Sequence, residues 1–189
     1  MPDRSTTIHD SHRPARSAKP GDPADPATEV GPMVARRQQE RVTSYIEVGR
    51  GEGARLVTGG TGMPEGLDRG WYVRPTVFAD VDNRMRIAQE EIFGPVVSVI
   101  AYDGVEEAVR IANDYDYGLA GTVWTADLAA GIDVARQVRT GTYGVNTYTM
   151  DFAAPFGGFK ASGLGREFGP EGMAQYTEVK SIYTPPPAG

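Results

Sequence analysis

The sequence predicts an α/β fold, a mostly parallel sheet with crossover helices plus a C-terminal strand arm, and three observations carry that expectation. VVSVIAY, residues 96–102, is nearly all apolar and β-branched, the pattern of a strand covered on both faces, and such strands belong to parallel sheets. Between residues 96 and 146 two helical patterns separate three strand patterns, which means parallel neighbours joined by right-handed crossovers. Near the end, Thr177, Val179, Ser181 and Tyr183 alternate with Glu178, Lys180 and Ile182 before a run of prolines.

In chain order, residues 1–18 read as a disordered tail. Ile8 is the one sizeable aliphatic residue after the initiator, too little apolar surface to offset roughly 1–2 kcal/mol of backbone ordering per residue. The same segment lacks the apolar stretch of a secretory signal, which implies a cytoplasmic location. His9 and His12 are spaced like metal ligands, but two imidazoles in a polar tail without further ligands read as solvated side chains, and no metal is expected. Residues 19–32 are broken by prolines and glycines and read as an extended lead-in. Beyond them Val34, Val42, Tyr45, Ile46 and Gly49 fall on one helical face, with Arg36, Arg37, Gln39, Glu40 and Arg41 on a face expected to be solvated.

Arg55 to Thr58 has the character of a short strand. The run from Trp71 to Val81 is β-rich, and Pro75 inside it argues for an edge or irregular strand. After residues 96–102, Asp103 and Glu106 have the spacing of a helix N-cap and its capping-box partner, backed by a stripe of Val105, Ala108, Val109 and Ala112. Residues 119–125 are strand, and Asp127 caps a helix with Leu128, Ile132, Ala135 and Val138 on one side. Residues 141–146 return as strand. The following loop, with glycines at 157, 158, 163, 165 and 169, is too long and too aromatic for a mere linker. A short helix near Glu171 to Tyr176 and a strand near Thr177 to Thr184 close the chain.

Composition removes several function classes. With 19 basic against 25 acidic side chains the formal charge is -6, so nucleic acid and anionic membrane surfaces are repelled on average. No apolar run approaches the length of a membrane span. The sequence contains no cysteine, which excludes disulfides, thiolate metal sites and a cysteine nucleophile supplied by these residues. GRGEGA (49–54) and GFKASG (158–163) both fail as phosphate-binding loops, and Ser162 has Lys160 where a nucleophile elbow needs glycine. Of the paired carboxylates, Glu106 and Glu107 read as a cap and a wet surface. Glu90 and Glu91 stand directly before an aromatic and the apolar strand. There a carboxylate could accept hydrogen bonds from a diol and Phe93 could pack on a flat ring, or the pair could be a charge at a helix N-terminus.

EEIFGPVVSVIAYD (90–103), NDYDYGLAGTVWTAD (113–127), TGTYGVN (140–146), PFGGFKASGLGREFGPEGM (155–173) and YTEVKSIY (176–183) resemble, in order and spacing, successive blocks of the NAD(P)-dependent aldehyde dehydrogenase superfamily. The resemblance begins near Lys19 and covers only the last third of a typical member. It implies a catalytic-domain-like segment over residues 19–176 and a C-terminal oligomerisation strand and tail over 177–189. It also implies that Glu91 holds the hydroxyls of the nicotinamide ribose and that Phe93 packs near the nicotinamide of NAD or NADP. Phe156 matches an aromatic that lines the aldehyde tunnel, with Phe152 and Tyr148 in the variable loop before it as further substrate-side candidates.

In the family the cofactor domain, the glutamate base and the nucleophilic cysteine all precede the matching segment, so no catalytic residue carries over and the chain is expected to be inactive on its own. A carboxylate hydrogen-bonded to ribose contributes about 1.5–3 kcal/mol, whereas micromolar binding needs about 8 kcal/mol, so Glu91 and Phe93 would not hold a dinucleotide unaided. Three readings follow: a truncated C-terminal portion of an aldehyde dehydrogenase, half of a split one, or a non-catalytic interaction module. The implied partners are a small-molecule aldehyde and either a second copy or a complementary or full-length relative.

Overall fold

The computed structural model describes residue 15 and residues 17–187. The expected disordered tail, with His9 and His12, falls almost entirely outside the described residues. The chain divides into two compact units, Met1–Tyr102 and Asp103–Gly189.

In the first unit, helix α1 (Arg36–Gly51) buries Val42, Tyr45, Ile46 and Gly49. These are the face that the sequence spacing marks, apart from Val34, which precedes the helix and is exposed. Three strands form one sheet in the order β1 (Arg55–Thr58), β2 (Thr76–Ala79), β3 (Val96–Ser98), the first pair antiparallel and the second parallel. A short helix, α2 (Arg86–Gln89), lies between β2 and β3 in sequence. The core is Val42, Tyr45 and Ile46 of α1 packed with Ala54, Val73, Phe78, Val81, Ile87 and Ile92.

Two expectations about these strands need correction. Pro75 does not make an edge strand: β2 begins at the next residue, is central and is buried along its whole length. Pro75 therefore sits outside the ladder, where its missing N–H costs nothing. The run 96–102 is strand only over Val96–Ser98 and is not covered on both faces, since Val97 is 55% exposed. Composition alone cannot separate a doubly covered strand from one whose second face awaits a neighbour.

The second unit begins with α3 (Gly104–Asn113), then β4 (Tyr117–Gly118), β5 (Ala120–Val123), α4 (Leu128–Gln137), β6 (Thr142–Val145), β7 (Phe159–Lys160) and α5 (Gly169–Ala174). The β5–α4–β6 crossover is parallel, as the pattern predicts, with Ala120 opposite Thr142 and Val123 opposite Val145. The antiparallel pair of β4 with β7 inside the glycine-rich loop has no hydropathy signal and was not foreseen. The first expected crossover does not join neighbours, because β3 belongs to the β1–β2–β3 sheet and β5 pairs with β6, so the molecule is α/β with its parallel strands distributed over small sheets.

Caps and stripes follow the sequence unevenly. Asp127 accepts from the Ala130 N–H at 3.1 Å, as expected of an N-cap. At α3 it is Glu107, not Glu106, whose carboxylate accepts from the Asp103 N–H, at 2.6 Å. No residue of α3 is buried, and Leu128 and Ile132 of α4 are exposed, the buried positions on that side being Gly131 and Val138. The expected C-terminal strand is absent: residues 177–187 take no regular structure and are exposed. A strand needs a ladder partner, and the described residues offer this segment none. No helix among the described residues is long and apolar enough to cross a membrane.

Candidate functional site

The first candidate region is the segment Glu90 to Gly94, which α1 cradles with one face. Gln38, Arg41, Val42 and Tyr45 are spaced i, i+3, i+4 and i+7 and so share a side of the helix. The Tyr45 hydroxyl donates to Glu90 Oε2 at 2.6 Å, and Arg86 grips the same carboxylate with Nε and a terminal nitrogen at 2.8 and 2.9 Å. The Arg86 and Tyr45 hydrogen bonds hold the Glu90 carboxyl at about 2, well below the usual carboxylate range. The same hydrogen bond to Glu90, together with burial, pushes the Tyr45 hydroxyl up. Arg41 donates to the Glu91 main-chain oxygen at 2.5 Å, and Gln38 Nε2 donates to the Phe93 oxygen at 2.8 Å.

The two adjacent carboxylates therefore have different surroundings. Glu90 is engaged by Tyr45 and Arg86, whereas the Glu91 carboxylate is exposed and has no partner among the described residues. Ile92 between them and Phe93 is buried, and the Phe93 ring is 71% exposed. The pair is not a charge at a helix N-terminus: Glu90 is the C-terminal cap of α2, and the next helix starts at Gly104. The face expected to be solvated is exposed at Arg36, Arg37, Glu40 and Arg41, and two of its side chains also make fixed contacts, Arg41 and Gln39 donating to the main-chain oxygens of Glu91 and Tyr72. Gln38 and Arg41 were missed as site residues. Their spacing beside Val42 and Tyr45 was the available signal.

The second region lies in the second unit and is aromatic. Tyr148 and Phe156 line one pocket of about 290 Å³, with Thr142, Tyr143, Met150 and Ala154. The Tyr148 and Thr142 hydroxyls are 3.0 Å apart. Phe152 does not line this pocket. It stands edge-on to Phe168 at 4.9 Å, and Phe168 in turn lies 6.3 Å from Phe156. Phe168 was not singled out from sequence. Its φ of +59° seats it between the other two rings, a backbone state that residue identity does not announce. Among the described residues no cluster of three His, Asp or Glu side chains is arranged to hold a metal ion.

Comparison with known proteins adds to this geometry. A family model described as "Aldehyde dehydrogenase family" matches residues 6–182. Geranial dehydrogenase of Castellaniella defragrans is 57% identical over 163 residues, which are 86% of this chain and 34% of that protein. Among solved structures, an aldehyde dehydrogenase of Mycobacterium tuberculosis complexed with NAD+ superposes with a TM-score of 0.93 at 51% identity, covering 98% of this chain and 38% of the other. Aldehyde dehydrogenase C of Pseudomonas syringae, a mutant complexed with NAD+ and octanal, gives a TM-score of 0.91 at 45% identity, covering 94% of this chain and 37% of its own. The chain spans about a third of the length of the curated relatives it matches.

Proposed function

The chain belongs to the aldehyde dehydrogenase family, and from that premise we propose that it supplies the nicotinamide-ribose edge and part of the aldehyde channel of an NAD(P)-dependent oxidation of an aldehyde to its acid. The observation that carries this reading is the contrast at residues 90 and 91. Glu90 is spent on Tyr45 and Arg86, while the Glu91 carboxylate, two positions before the exposed ring of Phe93, is exposed and unengaged among the described residues. A free carboxylate accepts two ribose hydroxyls, and a neighbouring aromatic covers a flat heteroaromatic ring, so the residues present fit the nicotinamide riboside half of the cofactor. Bound there, the cofactor would supply the hydride acceptor. Glu91 would orient the ribose, Phe93 would exclude water from the ring, and Phe156 with Tyr148 would line the path of an apolar aldehyde.

The nucleophile must come from elsewhere, because no thiol is present in these 189 residues. The reading therefore places the cofactor domain, base and cysteine outside these 189 residues, and it includes a cytoplasmic setting where the nicotinamide pool resides. By itself the chain is expected to give no aldehyde-dependent reduction of NAD+ or NADP+. A chimera in which this chain replaces the matching third of the geranial dehydrogenase relative is expected to be active. In the chimera Glu91→Gln should lower hydride transfer by about tenfold or more, the worth of a charge-assisted hydrogen bond, without moving the thermal midpoint. An unchanged rate in that variant would remove Glu91 from the cofactor site.

A second reading, association through residues 177–189, is favoured by a specific observation. Val179, Ile182 and Tyr183 are all exposed along a segment that has no regular structure and no ladder partner among the described residues. Such a segment is a template for strand addition to a second copy or to a full-length relative.

A further inference from the structure

Phe93 combines features that do not arise from packing of its own side chain. Its φ is +61°, in the left-handed region that a non-glycine residue occupies only when its surroundings impose it. Its ring is exposed, so no burial of the side chain offsets that conformation. What offsets it is main-chain contact with α1. Gln38 Nε2 donates to the Phe93 oxygen at 2.8 Å and reaches the Ile92 oxygen at 3.5 Å. Immediately after, Gly94 approaches the helix so closely that a Cβ there would lie 2.5 Å from a methyl of Val42. Arg41 fixes the Glu91 carbonyl on the same helical face.

We propose that Gln38 is a positioning residue: its carboxamide locks the Phe93 peptide in the left-handed conformation and thereby presents the Phe93 ring and the Glu91 carboxylate together to a nicotinamide riboside. This rests on the reading of Glu91 and Phe93 as cofactor residues given above. The chemistry requires a donor at position 38. An amide nitrogen carries two hydrogens and serves two successive carbonyls, whereas a carboxylate of the same shape would set an acceptor against acceptors. The constraint acts on orientation and not on global stability, because the carbonyls that Gln38 holds belong to a segment whose side chains alternate outward, inward, outward at Glu91, Ile92 and Phe93.

The test is NMR on the full chain with nicotinamide mononucleotide as probe at concentrations on the order of tens of millimolar, where a lone carboxylate–ribose contact is measurably occupied. A left-handed residue gives a strong NOE between its own amide and α protons, because those protons are closest there. The wild-type chain is expected to show that NOE at Phe93, and the amides of Glu91 and Phe93 should shift as the probe is added. Gln38→Met keeps the length of the side chain and removes the donor, and Gln38→Glu keeps its shape as well. Both are expected to lose the Phe93 NOE and the probe-induced shifts while the resonances of Val42, Ile46 and Phe78 stay in place. Retention of the NOE in both variants overturns the proposal, and so does loss of the NOE with undiminished probe shifts. A wild-type chain that never responds to the probe overturns the cofactor reading and the positioning role with it. That outcome is distinct from failure of Gln38 alone, in which wild type and variants respond alike.

Discussion

Glu90 is the residue whose titration the structure makes most specific. Its carboxyl is lowered from an ordinary 4.5 to about 2, first by Arg86 and then by Tyr45. A carboxyl whose value is depressed on folding contributes stability that is present above its unfolded value and lost as pH falls through the folded one. Stability should therefore decline between about 4.5 and 2, and Glu90→Gln should flatten that part of the curve, as urea titrations at stepped pH would record. A Glu90→Gln chain whose acid limb matched the wild type would show that the Arg86 pair does not persist in solution. The pairing of residues 90 and 91 was legible in the sequence, but which carboxylate is consumed was not. Arg86 is four residues away on a short helix, and Tyr45 is 45 positions distant, a separation that only the packing of α1 closes.

Among elements, the β5–α4–β6 crossover was the most legible, because period, cap and return strand all agree. Its packing was not. The sequence stripe assigned the buried side of α4 to Leu128, Ile132, Ala135 and Val138, of which only Val138 is buried, while Gly131 lies so close to its neighbours that a Cβ there would be 2.6 Å from a Val145 methyl and 2.9 Å from the Thr125 methyl. A glycine inside a helix looks like a defect to any propensity argument, since alanine would gain about 1 kcal/mol. Val145 and Thr125 are β-branched and stiff, so here the overlap should win. Gly131→Ala is expected to destabilise the chain by about 1–3 kcal/mol in denaturant unfolding, and a stabilised variant would show that α4 stands further from its strands. The terminal strand failed for a related reason: alternation states which face a strand would bury but supplies no partner to bury it against.

Over the whole molecule the well-formed core lies in the first unit, while most of the exposed large apolar side chains, such as Trp124, Leu164, Tyr176 and Val179, belong to the second. Surfaces of this kind mark contact with another chain. The intact protein is expected to sediment above the monomer mass at concentrations on the order of tens of micromolar, where interfaces of ordinary weak affinity are occupied. Removing residues 177–189 should return it to a monomer if the tail is the contact, whereas association that survives the deletion places the contact on the apolar surface of the unit. A stable monomer from the intact chain would rule out the interaction reading.

Burial in that second unit falls on Gly118, Gly131, Gly144, Gly158 and Gly172, with Val138 as the buried apolar side chain. Where a core is made of side chains, a damaging enlargement can be relieved by shrinking a neighbour. At Gly118, Gly141 and Gly144 the atoms that an added methyl would strike first are the carbonyl oxygens of Arg139, Gly157 and Thr147, which no substitution can shorten. A search for second-site suppressors of an alanine at any of these three positions should return only revertants, and lineages of this fold can vary the surface around them freely while the main chain there admits no negotiated change.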